Sequence, residues 1–174
     1  MTLSEQYLPT FDNMLGTLDG LLAKAAGVDG SGGGDALLAA RLAPDMLPLA
    51  AQVRIACDQV SGALKRLSDS TFMLPDDDDT TIAEARARIA KTREAAKSQP
   101  LASFVAPDAP VELNLPNGLA FALSAQDYAR DWAQAQLYFH VVTAFAILRN
   151  QGLAIGKIDY MGFMAKYAKA PAPA

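Results

Sequence analysis

The sequence predicts an all-α protein: a four-helix bundle with one small β-hairpin between its third and fourth helices. Three observations carry that prediction. Four long stretches repeat apolar residues every three or four positions, the period of an amphipathic helix. Alanine is very common, and it favours helix. One Asn117-Gly118 step lies between two short apolar runs, which is a hairpin signal. Amphipathic helices of this length must bury their stripes on one another, and a bundle is the simplest way to do so.

Helix one is predicted over residues 2–26. Thr2 and Glu5 have capping-box spacing, and Leu3, Tyr7, Phe11, Met14, Leu18, Leu21 or Leu22, and Ala25 form the stripe. Pro9 removes a backbone donor, so a kink or an irregular first turn is expected there. Gly27-Val-Asp-Gly-Ser-Gly-Gly-Gly34 then reads as a flexible connector. It lacks the lysine and Ser/Thr of a phosphate-binding loop, and no strand precedes it.

Asp35–Leu42 is predicted as a short helix. A proline-bracketed approach, Arg41 to Pro48, leads into helix two, whose stripe is Leu49, Val53, Ala56, Val60, Ala63 and Leu67. Asp45, Gln52 and Asp58 lie at its start and along its length. Ser68–Thr80 is a loop ending in Asp76-Asp-Asp-Asp79. The spaced ligands and glycine of a calcium loop are missing, so the run reads as solvated charge that favours the next helix N-terminus. Helix three opens with a second capping box, Thr81 and Glu84, and carries a thin stripe of Ile82, Ala85, Ile89, Thr92 and Ala96. Glu84 and Arg88 form a favourable i,i+4 pair, and this helix should be the most exposed. Pro100 ends it. Val111–Leu115 and Leu119–Leu123 then flank Pro116-Asn-Gly118 as the hairpin.

Helix four, Gln126–Gly152, holds the only Trp and the only His. Ser124 fits as N-cap with Asp127 three residues on, and Gly152 fits as the stop. Tyr128, Trp132, Ala135, Phe139, Val142, Ala146 and Arg149 are spaced alternately four and three apart, a stripe predicted to face the other helices. Val141, Phe145 and Leu148 widen it, so this helix, roughly 40 Å long, is expected to be the one the others surround. Leu153–Tyr167 should pack back on the bundle, with Tyr160, Met161, Phe163 and Tyr167 in tail packing or on a dimer surface. One domain therefore covers residues 1–167, and residues 168–174 are expected to be a disordered tail. The long connections before helices two and four permit parallel neighbours.

Composition narrows the function classes. The chain has 174 residues, half apolar and a fifth charged, which suits one soluble domain with a full core. A net charge of −4 with no Lys/Arg cluster argues against nucleic acid as a partner. No apolar run is long enough to span a bilayer, and the N-terminus does not read as a signal peptide. A single Cys57 leaves no internal disulfide and suits a reducing compartment, so a cytoplasmic location is expected.

Three segments together carry a resemblance. Arg41-Leu-Ala-Pro-Asp-Met-Leu-Pro-Leu-Ala-Ala-Gln-Val-Arg-Ile-Ala-Cys-Asp58, Tyr138-Phe-His-Val-Val-Thr-Ala-Phe-Ala-Ile-Leu-Arg149 and Gly156-Lys-Ile-Asp-Tyr-Met-Gly162 resemble a bacterial domain-of-unknown-function family, number 1993. That family is similar to the DinB/YfiT-like superfamily of four-helix bundles, and the likeness runs from helix one to Gly162. The resemblance implies a DinB-like bundle. It also implies a question about metal, because the superfamily often holds a divalent metal with three histidines, and some members transfer low-molecular-weight thiols. One histidine comes from helix two, and two stand four apart on the last helix, followed by Arg-Gly-Gln. Here His140 falls on the last of them, Gln136 occupies the position four earlier, and Val141-Val142-Thr143 replaces Arg-Gly-Gln. Helix two has no histidine. The expectation is therefore a degenerate site with no resident metal or other cofactor.

The candidate cleft comprises His140, Gln136, Asp45, Gln52, Asp58, Tyr138 and Arg149. His140 has two readings: a buried residue bonded to a helix-two carboxylate that fixes helix pairing, or a general base in a ligand cleft. Asp45 also reads as a cap, Gln52 as surface polarity, and Arg149 as an ion pair at a helix C-terminus or a bridge to Asp58 or Asp159. The expected function is small-molecule binding or a structural role without metal, as a homodimer. The alternative is a divalent-metal enzyme of the thiol-transferase or hydrolase type, using His140 with carboxylates and zinc or nickel.

Overall fold

A computed structural model describes residues 2–28, 33–74 and 79–169. Residues 29–32 of the glycine-rich connector, Asp76–Asp78 of the acidic run and residues 170–174 of the predicted tail lie outside the described residues. The chain is a helical bundle with a two-stranded hairpin. Helix α1 is Leu3–Ala26, α2 is Leu49–Leu67 and α3 is Ile82–Ser98. Strands β1 (Pro110–Asn114) and β2 (Ala120–Ser124) pair antiparallel, and α4 covers residues 125–150.

Cross-helix bonds give the directions. Arg86 with Asp19 and Arg93 with Asp12 make α1 and α3 antiparallel. Gln52 with His140, and Arg66 over the Tyr128 ring, do the same for α2 and α4. Gln126 reaches Tyr7, so the starts of α1 and α4 lie together and those helices are parallel. The Val105 amide bonds the Leu67 carbonyl, and Gln99 reaches Asp69, so α2 and α3 end together and are parallel. The order is up-down-down-up. The parallel pair α2 and α3 is joined by the long loop that holds the acidic run.

Both predicted capping boxes are present, at Thr2/Glu5 and Thr81/Glu84. Pro9 sits on the exposed side of α1, where its missing N–H faces solvent, and the helix continues through it. The predicted stripes of α1, α2 and α3 are buried. Asp35–Leu42 was predicted to be a short helix; the segment is instead a 3-10 helix, Gly33–Ala39. It lies so close to α1 that a Cβ on Gly34 would come within 2.2 Å of the Ala25 carbonyl oxygen. The hairpin forms as predicted. Asn117 does not have positive φ, so its turn is not the mirror-image type that Asn-Gly usually selects. The Gly118 amide bonds the Leu115 carbonyl, and Gly118 at φ 87° takes the left-handed position of a three-residue loop. Val111 and Leu113 of β1 point into the core. The Ala125 and Gln126 amides, bonded to the Ala109 and Pro107 carbonyls, tie the hairpin base to α4.

Helix α4 departs from its prediction in the middle. An α-turn, Ala125–Asp127, passes into a π-helical stretch, Tyr128–Gln134, before α-helix resumes over Ala135–Asn150. The stripe expected to face the bundle is correct only as far as Trp132. Beyond it Ala135, Phe139, Val142 and Arg149 are exposed. The buried row is Ala125, Ala129, Ala133, Leu137 and Val141, all four apart, followed by Ala144 and Leu148. Four residues of α-helix overshoot one turn by about 40°, so this row would wind off the core within a few turns. The wider i→i+5 turn of the π stretch absorbs that drift and keeps the row on one face.

The chain after α4 packs back on α1, as predicted. The Tyr160 carbonyl accepts from Thr17, the Tyr160 hydroxyl meets Met14 Sδ, and its ring packs edge-on against Phe145. Asp159, on the short helix α5 (Lys157–Tyr160), pairs with Lys24 and not with Arg149.

Candidate functional site

His140 lies on the buried side of α4, 6% exposed, and faces α2. Its Nδ1 is 2.8 Å from Oε1 of Gln52, which is also buried. Gln52 Nε2 donates to the Leu47 carbonyl. That bond commits the amide's NH2 group and turns its oxygen toward the ring. The imidazole must then carry its proton on Nδ1 and donate it, leaving Nε2 with a lone pair. Burial holds the His140 pKa below its ordinary value, so the ring is neutral near pH 7. Phe139 meets it edge-to-face, with ring centroids 5.2 Å apart. This is a helix-to-helix bond between two neutral side chains, and an amide stands where a carboxylate partner was predicted.

The other cleft candidates are spread over the surface around this contact. Gln136 is half-buried one turn before His140. Tyr138 points outward and its hydroxyl accepts from Gln134. Asp45 is exposed in the turn before α2, Asp58 is half-buried further along α2, and Arg149 is exposed at the end of α4. Two open hollows among the described residues lie elsewhere. One of about 850 Å³ runs between the loop at Asp69–Phe72 and α3, and one of about 330 Å³ lies between α1 and the returning tail, beside Arg93 and Asp159.

The superfamily's metal does not fit these residues. Among the described residues no group of three or more His, Cys, Asp or Glu comes together in a metal-holding arrangement. His140 offers one nitrogen, and its nearest partner is an amide, a poor ligand for a transition metal.

A second polar feature joins α3 to the end of the acidic run. Arg88, 2% exposed, donates from Nε to Asp79, the last residue of the acidic run. The expected Glu84–Arg88 pair does not form, because the Glu84 carboxylate accepts from the Thr80 and Thr81 amides in the capping box. The burial of Arg88 had a signal in the sequence: it stands between Ala85 and Thr92 at helical spacing, on the stripe itself. Cys57 lies nearby and is fully buried. Burial pushes its thiol pKa up to about 12 against a hydrogen bond with Thr92 that lowers it. The thiol is inert at neutral pH.

Residues 3–161 match the family described as Domain of unknown function (DUF1993). The chain is also similar to a DinB family member protein from Shewanella denitrificans of known crystal structure. Identity is 33% and the TM-score is 0.79, over 99% of this chain and 95% of that one. No curated protein matches the chain.

Proposed function

Starting from the fact that this chain belongs to the DUF1993 family and has a DinB-like fold, we propose that it is a non-metal bundle that works by binding and not by bond-making chemistry at His140. The observation that carries this reading is the His140–Gln52 bond: a neutral, buried imidazole whose Nδ1–H is satisfied by an amide. A general base needs a reachable substrate and a metal centre needs further ligands, whereas a buried pair of this kind locks α2 to α4. The metal corner of the superfamily has become a structural clamp.

The test is elemental analysis of the untagged protein, with His140→Ala as control, and thermal melting with added zinc or nickel. The proposal expects less than about 0.1 metal per chain and no rise in melting temperature, because an ion that binds only the folded state must stabilise it. About one zinc or nickel per chain, lost in His140→Ala, would overturn it in favour of the divalent-metal enzyme. One observation favours that second reading: Gln52 fixes the ring by Nδ1, as outer partners fix metal-bound histidines, and leaves Nε2 to bind.

A further inference from the structure

The exposed side of α4 is apolar at its centre. Phe139 is 57% exposed, Val142 47% and Tyr138 36%, and Ala135 and Ala146 flank them along the helix. The tail covers Phe145 through Tyr160, but nothing covers Phe139 and Val142 among the described residues. One further exposed apolar side chain, Leu47, stands at the His140 edge of this face, its carbonyl held by the same Gln52 that holds His140. Exposed apolar surface of this extent on one face marks an interaction site.

The ends of the same face carry opposite charge. Asp127, Asp131, Ala135 and Phe139 stand four apart, opposite the buried row of Ala125, Ala129, Ala133 and Leu137, through the π stretch and into the α-helix. At the N-terminal end Arg130 is shared between Asp127 and Asp131, which leaves one net negative charge. At the C-terminal end stands Arg149. Arg149 and Asp131 lie at nearly equal distances, about 13 Å, from the midpoint between Phe139 and Val142.

We propose that a second copy of this chain covers the face, with the two α4 helices antiparallel about a two-fold axis beside His140. In that register Phe139 lies against the partner's Val142, Ala135 against the partner's Ala146, and Arg149 against the partner's Asp131. A two-fold interface must be self-complementary. This face meets that requirement: large side chains oppose Val at the centre, small ones let the helices close on either side, and each basic end meets an acidic end. A parallel pairing would set Arg149 against its own copy. The proposal concerns the outer side of α4 and does not rest on the reading of His140.

Sedimentation velocity on the full chain tests it, with circular dichroism as the fold control. The wild type is expected to be a dimer at micromolar concentration. Phe139→Glu and Val142→Arg should each give a monomer with unchanged helical signal, since both side chains already face outward. Arg149→Asp should weaken the dimer about 2- to 30-fold, the strength of two symmetry-related exposed pairs, and adding Asp131→Arg should restore it. That rescue distinguishes antiparallel from parallel pairing. A wild type that stays monomeric at several hundred micromolar overturns the proposal. So does a dimer that persists in both Phe139→Glu and Val142→Arg, or one that Arg149→Asp tightens.

Discussion

His140 Nδ1 and Gln52 Oε1 lie 2.8 Å apart, and this bond joins two antiparallel helices in the core. Gln52 also holds the Leu47 carbonyl, so one amide closes the corner where α2 begins. Replacing it with Leu leaves a buried imidazole N–H without its acceptor and a carbonyl without its donor. Gln52→Leu should cost about 1–3 kcal/mol of stability in urea unfolding, the penalty of a stranded buried polar group. Adding His140→Leu removes the orphaned donor, so the double variant should be more stable than the sum of the single losses predicts. Strict additivity in that cycle would show that the contact does not couple the two helices.

Stability should depend on pH through His140, the only histidine in the chain. Burial lowers its pKa in the folded protein relative to the unfolded value near 6.5. Above about pH 6.5 the ring is neutral in both states, and the full stability is present. As the pH falls below that value the unfolded chain takes up a proton and the folded chain does not. Stability is lost until the pH passes the folded pKa. The urea midpoint should therefore fall between pH 7 and pH 5.5 in the wild type and stay level in His140→Gln. The carboxylates with lowered pKa, such as Asp12 and Asp159, act in a separate and more acidic window. A midpoint that rises on acidification to pH 5.5 would show a ring stabilised in its charged form.

Cys57 offers a probe of global opening. With its pKa pushed up to about 12, only about one ten-thousandth of the thiol is ionised at pH 8 in the native state, and the side chain is inaccessible. Labelling by a thiol-specific disulfide reagent should be slow in the native protein, immediate in 6 M guanidinium, and limited by unfolding in between. Arg88 and Asp79 lie close by, so Asp79→Asn, which weakens a charge-assisted bond to a buried guanidinium, should speed native labelling. Immediate labelling of the untreated wild type would mean that the α2–α3 seam opens locally.

The first three helices were legible because each signal there is local. Capping boxes at Thr2/Glu5 and Thr81/Glu84 fix the starts, and a 3.6-residue stripe fixes the buried face. The hairpin was legible from Asn117-Gly118, although Pro116 and the left-handed Gly118 make a three-residue loop of it. His140 and Gln52 could each be named from the sequence, but their bond could not. It depends on α2 running antiparallel to α4, which is set by the long link between α2 and α3. The burial of Arg88 does not follow from its i,i+4 spacing with Glu84, because Asp79, to which it donates, comes from outside the helix.

The largest miss, the outward turn of Phe139 and Val142, has one cause, and it yields a sharp prediction. A period of 3.6 residues per turn does not hold through Tyr128–Gln134, where the backbone is π-helical and holds in effect one residue more than an α-helix would. Deleting Asp131 should let the stretch rewind as α-helix. The buried row would then fall at residues 125, 129, 132, 136 and 140 of the shortened chain, alternating near the α-helical period, with every side chain after the deletion keeping its face. Asp131 itself is exposed and paired only with its neighbour Arg130, so its loss removes little. Deleting Phe139, which is equally exposed, has no π turn to absorb it. It would rotate Val141, Ala144, Ile147 and Leu148 by about 100° off the core. The Asp131 deletion should therefore melt cooperatively within about 5–8 °C of the wild type, and the Phe139 deletion should lose more than about 3 kcal/mol, the cost of emptying several core positions. Equal destabilisation by the two deletions would mean that the π stretch is not a one-residue insertion, and that something else turns Phe139 outward.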